Sequence, residues 1–241
     1  MSRSYDCADA EQRAAGLADA ASTLRMSQLV VLPTDTVYGI GCDAFVQSAV
    51  NALLAAKGRG RDIPVPVLVG TVRAATALVE NLGPYGQDLI DAFWPGPLTL
   101  ICRANRSLSW DLGDTKGTVA LRMPLHAVAL DLLKDIGPMA VSSANRFGQE
   151  PATTVEEAGK QLGEAAEVYL DDGPCTDRVP STIVDLTSAV PRLLRRGVIS
   201  EDKLRAVAGY IATDGAPQPA ASGFEPDPKP ESAAKADPDQ D

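Results

Sequence analysis

The sequence predicts one α/β domain built on a mixed sheet, followed by an acidic tail. Short apolar, β-rich runs interleave with Ala- and Leu-rich stretches of helical period. Some of these runs follow one another with no helix between them, so the sheet cannot be purely parallel. From Asp214 onward the composition turns to Pro, Ala and Asp with almost no large apolar residue, and such a segment cannot repay its ordering entropy. The expected boundaries are 1–213 for the domain and 214–241 for a disordered tail.

Taken in order, residues 9–26 (DAEQRAAGLADAASTLRM) place Leu17, Ala20, Ala21 and Leu24 at helical spacing. QLVVLP (28–33) is an apolar run closed by proline, which reads as a buried strand. VQSAVNALLAAK (46–57) is a second helix, ended by Gly58. IPVPVLV (63–69) is β-rich, with prolines that favour an edge or a bend. Residues 71–93 read as helical, interrupted at Gly83-Pro84. GPLTLICRA, GTVALRM, GPMAVSSA, AEVYLDD, STIVDL and PRLLRRG supply further strands, with helices near 127–136, 154–162 and 200–210.

The chain of 241 residues is 45% hydrophobic, enough for a sizeable core, and carries a net charge of −10. Half of that excess lies beyond Thr213, where seven carboxylates face two lysines. The mildly acidic body argues against broad nucleic-acid binding but leaves room for a local cationic pocket. Cys7, Cys42, Cys102 and Cys175 form no C-x-x-C pair, and His126 is the single histidine, so zinc or iron–sulfur ligation is not expected. No apolar run has the length of a membrane span, and the N-terminus does not resemble a signal peptide. A soluble protein of a reducing cytoplasm is expected.

Several segments carry candidate chemistry. In KGRGRD (57–62) the glycines discourage further helix, and an extended chain would put Lys57, Arg59 and Arg61 on one cationic face suited to a triphosphate. Solvated charges at a helix C-terminus are the competing reading. VLPTDTVYGIGCDA (31–44) sets Thr34, Asp35 and Thr36 just past a strand, as ligand donors or as a turn. In GTVALRMP, alternation separates Val119, Leu121 and Met123 from Ala120 and Arg122; Arg122 could hold a substrate carboxylate or form a structural salt bridge. PMAVSSAN ends a strand with Ser142, Ser143 and Asn145, at the end where α/β sheets collect ligands. The competing use is a turn before a helix capped by Thr153 or Thr154. Ser181 and Thr182 open another strand, and Arg195 and Arg196 close one. No Ser–His–Asp triad can be assembled around one histidine.

Together and in order, PTDTVYGIG, KGRGRD, FWPGPLTLI, VALRMP, VSSAN, PSTIVD and LLRRG resemble the YrdC/Sua5 family of L-threonylcarbamoyladenylate synthases over about residues 12–210. The resemblance implies a twisted open mixed sheet with flanking helices and a concave, positively lined cavity. It implies condensation of L-threonine, bicarbonate and ATP, the latter with Mg²⁺, to threonylcarbamoyl-AMP and pyrophosphate. Partner proteins would then transfer the threonylcarbamoyl group to adenosine 37 of tRNA, giving t6A. By the same resemblance Lys57, Arg59, Arg61, Thr118, Asn145, Thr153 and Arg195 belong to the ATP site. Thr34, Arg122, Ser143 and Ser181 belong to the L-threonine site. The chain departs from the family pattern at Asp35 (usually Glu), at Gly60 and Arg196 (usually Pro), and in lacking a histidine within 64–70. An RNA-binding module using the basic concavity is the alternative reading, opposed by the acidic body and the 5% aromatic content.

Overall fold

The structure, a computed structural model, describes residues 2–213. The expected tail, 214–241, lies outside the described residues. Among the described residues, eleven strands form one mixed sheet in the order β1-β8-β2-β3-β7-β4-β6-β5-β9-β10-β11. They are β1 (Arg3–Asp6), β2 (Val30–Leu32), β3 (Gly39–Asp43), β4 (Val67–Leu68), β5 (Leu98–Arg103), β6 (Thr118–Arg122), β7 (Met139–Ser143), β8 (Val168–Asp171), β9 (Thr182–Asp185), β10 (Arg192–Arg195) and β11 (Ala212–Thr213). The helices are α1 (Ala10–Arg25), α2 (Gln47–Lys57), α3 (Val72–Ala77), α4 (Gly83–Phe93), α5 (Ala127–Ile136), α6 (Val155–Leu162) and α7 (Glu201–Ala208). β2–β3, β3–β7, β4–β7, β5–β6 and β9–β10 pair antiparallel, whereas β1–β8, β2–β8, β4–β6, β5–β9 and β10–β11 pair parallel.

Strand alternation divides this sheet into two unlike faces. Val31, Ile40, Cys42, Val67, Leu100, Val119, Leu121, Ala140 and Val184 all point to one side and share a core with Leu53 of α2, Ile90 of α4, Ala158 of α6 and Leu204 of α7. The opposite residues of β2, β4 and β7 (Val30, Leu32, Leu68, Met139 and Val141) pack under α1 and α5, against Leu24, Val128 and Leu132. Arg13–Asp131 at 2.7 Å and Arg25–Asp135 at 3.1 Å tie those two helices together at the surface. α1 and α5 cover only part of their face. Beyond Val141, toward β6, β5 and β9, that face is left open, and the cavity lies there.

Three local expectations are corrected and one strand is added. The strand in IPVPVLV is not an edge: Val67 and Leu68 pair on both sides, with β6 and β7, because Pro64 and Pro66 precede the two residues whose N–H groups enter the ladder. The chain does bend, at Ile63. The break in 71–93 falls at 78–82, and Gly83-Pro84 begins α4 instead of interrupting it, as proline suits a first helical turn. VYGIGCDA contains β3, whose glycines serve close packing: a Cβ at Gly39 or Gly41 would lie 2.7 or 2.8 Å from Val141 of β7. KGRGRD does not run extended. Lys57 ends α2, and Gly58 turns left-handed (φ 62) to cap it, which sends Lys57, Arg59 and Arg61 in different directions.

Candidate active site

A cavity of about 510 Å³ occupies the open half of the sheet face, within the usual range for small-molecule sites. Thr118, Ala120 and Arg122 of β6 line its floor beside Thr99 and Ile101 of β5, Ile183 of β9, and Val141 and Ser143 of β7. The alternation read in GTVALRM therefore holds, with Val119 and Leu121 in the core and their neighbours facing the ligand space. Thr34, Thr36, Tyr38, Arg59, Ser142, Ser181 and Arg195 complete the polar lining, which among the described residues holds three arginines and no carboxylate.

Each arginine is anchored through part of its fork. Arg122, on β6, is buried; its Nε donates to Gly96 O at 3.0 Å and Nη1 to Thr36 Oγ1 at 2.8 Å. Its Nη2 donates to Asp35 Oδ1 at 2.5 Å. Of the two readings left open by sequence, the salt bridge is present, and the same side chain also lines the cavity. Burial pushes the Arg122 pKa down and the Asp35 carboxylate pushes it back. Arg59 turns inward past Gly58, donating from Nε and Nη2 to Ile63 O (3.0 and 2.7 Å), from Nη2 to Pro64 O (2.8 Å), and from Nη1 to Ser142 Oγ (3.2 Å). It thereby closes the loop 59–64 on itself. Arg195, exposed at the cavity mouth, donates from Nε and Nη2 to Ser181 O at 3.0 and 2.8 Å. Desolvation and the nearby Arg122 charge both push its pKa down, so two guanidinium groups of the lining feel one another.

The hydroxyls are set by short loops at strand ends. Thr34 Oγ1 donates to Val37 O at 2.6 Å and accepts from Thr36 N and Val37 N, fixing the PTDT turn. Ser181 Oγ pairs with Thr99 Oγ1 at 2.8 Å. The close approach of β10's exit to this serine requires Gly197, where a Cβ would stand 2.4 Å from Pro180 O. Thr118 Oγ1 donates to Thr115 O at 2.8 Å.

Four of the residues assigned from sequence stand outside the lining. Lys57 is buried, and its Nζ donates to Ser143 O at 2.5 Å and Asn145 O at 2.7 Å, with Asn145 Oδ1 at 3.5 Å. Burial first, then the charge of Arg59, lowers its pKa to about 8. Asn145 turns its amide inward to Arg146 O and Gln149 O. Arg61 is exposed and pairs with Asp111 and Asn51. Thr153 bonds Glu157 Oε2 through both N and Oγ1 at 2.7 and 3.0 Å, while Thr154 caps α6. Arg196 pairs with Glu201 at 3.1 Å on the surface. Sequence reasoning did not single out Thr99, whereas Thr36 entered as a ligand donor or part of a turn and was not among the residues assigned to a site. Thr99 had a usable signal, since its place on an alternating strand next to Leu98 and Leu100 puts it on the face opposite the core. Among the described residues no group of three or more His, Cys, Asp or Glu side chains is placed to hold a metal ion.

Fold and cavity together define an α/β ligand-binding domain whose site is the uncovered half of one sheet face, with arginine as its charged lining. The chain belongs to the Sua5/YciO/YrdC family: the family model, described as "Telomere recombination", matches residues 22–197. It is 54% identical over 212 residues to a "Putative threonylcarbamoyl-AMP synthase" of Mycobacterium tuberculosis, covering 88% of this chain and 98% of that protein. Among solved structures it is similar to a doubly substituted Sua5 of Pyrococcus abyssi (TM-score 0.84, 31% identity, 88% of this chain and 62% of that one). It is also similar to P. abyssi Sua5 complexed with L-threonine (TM-score 0.79, 33% identity, 82% of this chain and 58% of that one). The chain therefore spans less than two thirds of those Sua5 chains.

Proposed function

We infer that this chain is a threonylcarbamoyl-AMP synthase, joining L-threonine, bicarbonate and MgATP with release of pyrophosphate. The observation that carries the reading is a lining of three part-anchored arginines and small hydroxyls, with no carboxylate, in a chain 54% identical to a relative named for that activity. Such a lining suits anions: guanidinium forks grip phosphate and carboxylate oxygens.

In this reading Arg59, Arg195 and Thr118 take the nucleotide, and Arg122 takes the L-threonine carboxylate with Thr34, Ser143 and Ser181 around its polar atoms. The neutral amine of L-threonine and bicarbonate condense to a carbamate, forming the N–C bond and releasing the displaced oxygen as water, without a protein nucleophile. A carbamate oxygen then attacks the α-phosphorus of ATP, the α–β bridging oxygen leaves with pyrophosphate, and the new bond is a mixed anhydride. The protein's part is alignment and charge neutralisation, consistent with a lining of anchored donors. Mg²⁺ belongs to the substrate, held by phosphate oxygens and water. Transfer of the threonylcarbamoyl group to tRNA by partner proteins, and residence in the cytoplasm, complete the reading. Among the described residues no helix is long and apolar enough to cross a membrane, and the four cysteines are free and buried. Incubation of the purified protein with MgATP, bicarbonate and L-threonine, followed by mass spectrometry, tests it. Threonylcarbamoyl-AMP is the expected product, and its absence from fresh, cold, near-neutral reactions overturns the assignment.

A further inference from the structure

The Asp35 carboxylate uses one of its two oxygens. Oδ1 accepts from Arg122 Nη2 at 2.5 Å and from Leu125 N at 3.1 Å, whereas Oδ2 is buried and meets no donor among the described residues. Asp35 does not line the cavity; its side chain, 10% exposed, stands behind Arg122. The Leu125 bond holds the turn into α5 against Asp35, and the next residue is His126, the only histidine of the chain. His126 Nδ1 is also buried without a partner. Among the described residues, Asp35 Oδ2 and His126 Nδ1 are the two buried side-chain atoms in that condition. His126 Nε2 lies 3.4 Å from Asp172 Oδ2, and the charged groups that bear on the ring are Asp172, Asp35 and Arg13.

These facts fit one another chemically. Asp35 Oδ2 can only accept, and a buried acceptor without a donor is costly. An imidazole nitrogen can carry a proton, and two orphaned buried polar atoms are commonly satisfied by one ordered water. We propose that His126 is a positioning residue: through one buried water it fixes Asp35 Oδ2, so that the carboxylate is held at both oxygens and aims the Arg122 guanidinium into the cavity. The substrate-facing consequence rests on the reading that Arg122 receives the L-threonine carboxylate.

The test compares His126→Ala, His126→Asn and Asp35→Asn with the wild type. The amide nitrogen of asparagine takes the place of Nδ1, so His126→Asn restores the donor if the variant folds like the parent. Losing one buried hydrogen bond predicts a rise of about tenfold in the KM for L-threonine in His126→Ala. The KM for ATP stays within about twofold, and His126→Asn returns the L-threonine value toward wild type. Combining His126→Ala with Asp35→Asn adds less than the sum of the two single effects. A purely structural role for His126 would lower the melting temperature, raise both KM values alike and show no rescue by asparagine. Either that pattern or an unchanged L-threonine KM in His126→Ala overturns the proposal. Wild-type protein that makes no threonylcarbamoyl-AMP at all overturns the functional reading instead. In that event, calorimetric titration of L-threonine into wild type and His126→Ala still decides the positioning role.

Discussion

Replacing Arg195 with methionine isolates the contribution of a guanidinium that the fold leaves half committed. Nε and Nη2 are bound to Ser181 at 3.0 and 2.8 Å, with a further 3.0 Å contact from Nη2 to Ser181 Oγ. Nη1 makes no hydrogen bond to the described residues and is left for a ligand. Methionine keeps the unbranched apolar stem and removes the fork. A charge-assisted hydrogen bond contributes about 1.5–3 kcal/mol, so loss of the phosphate contact weakens nucleotide binding about 10- to 150-fold. The cost to stability is small, about 1 kcal/mol, because the residue is exposed and Ser181 Oγ retains Thr99 at 2.8 Å. Calorimetry with a non-hydrolysable ATP analogue and Mg²⁺ measures the first quantity, and a melting curve the second. Unchanged nucleotide affinity in a folded Arg195→Met protein refutes the assignment of Arg195 to phosphate.

Three other outcomes follow from the geometry. Lys57 has a folded-state pKa of about 8 against an ordinary 10.5, so the unfolded chain holds the extra proton between those values. Lys57 therefore contributes stability that grows with pH across that window and is lost as pH falls back through about 8. The opposite trend comes from Cys7, Cys42, Cys102 and Cys175, whose pKa values burial raises. In urea titrations the slope of stability against pH for Lys57→Met lies below that of the wild type, and equal slopes refute the shift. Gly197→Ala places a Cβ 2.4 Å from Pro180 O and 2.5 Å from Ser181 C, which costs about 1–3 kcal/mol and displaces Ser181. Its melting temperature drops and its KM for L-threonine rises, whereas a wild-type melting curve contradicts the close approach. Truncation after Thr213 is expected from composition to leave the melting temperature unchanged, and a large drop overturns that expectation.

Much of the framework was legible because period-2 and helical patterns report which side of an element meets the core. GTVALRM is the clearest case, since its two faces became core and cavity floor without correction. β1 was not legible: RSYD is a polar, mostly exposed edge strand, and its pairing with β8 comes from backbone bonds. β3 was not picked out as a strand because its glycines carry no β-propensity, and only the contact with Val141 shows why glycine is needed. The direction of Lys57 was hidden for a related reason. Its acceptors are backbone carbonyls of Ser143 and Asn145, far along the chain, and a carbonyl leaves no trace in residue identity. The charge on Arg122 was legible as needing a partner, but Asp35 could be chosen only once β2 and β6 were placed in one sheet.

The most direct measurement uses ¹³C-labelled bicarbonate with L-threonine and MgATP, and follows labelled product and pyrophosphate together. A synthase incorporates the heavy carbon into threonylcarbamoyl-AMP and releases pyrophosphate in equal amount, with neither formed when L-threonine is omitted. Pyrophosphate released independently of L-threonine, or a product without the label, contradicts the condensation assigned to this cavity.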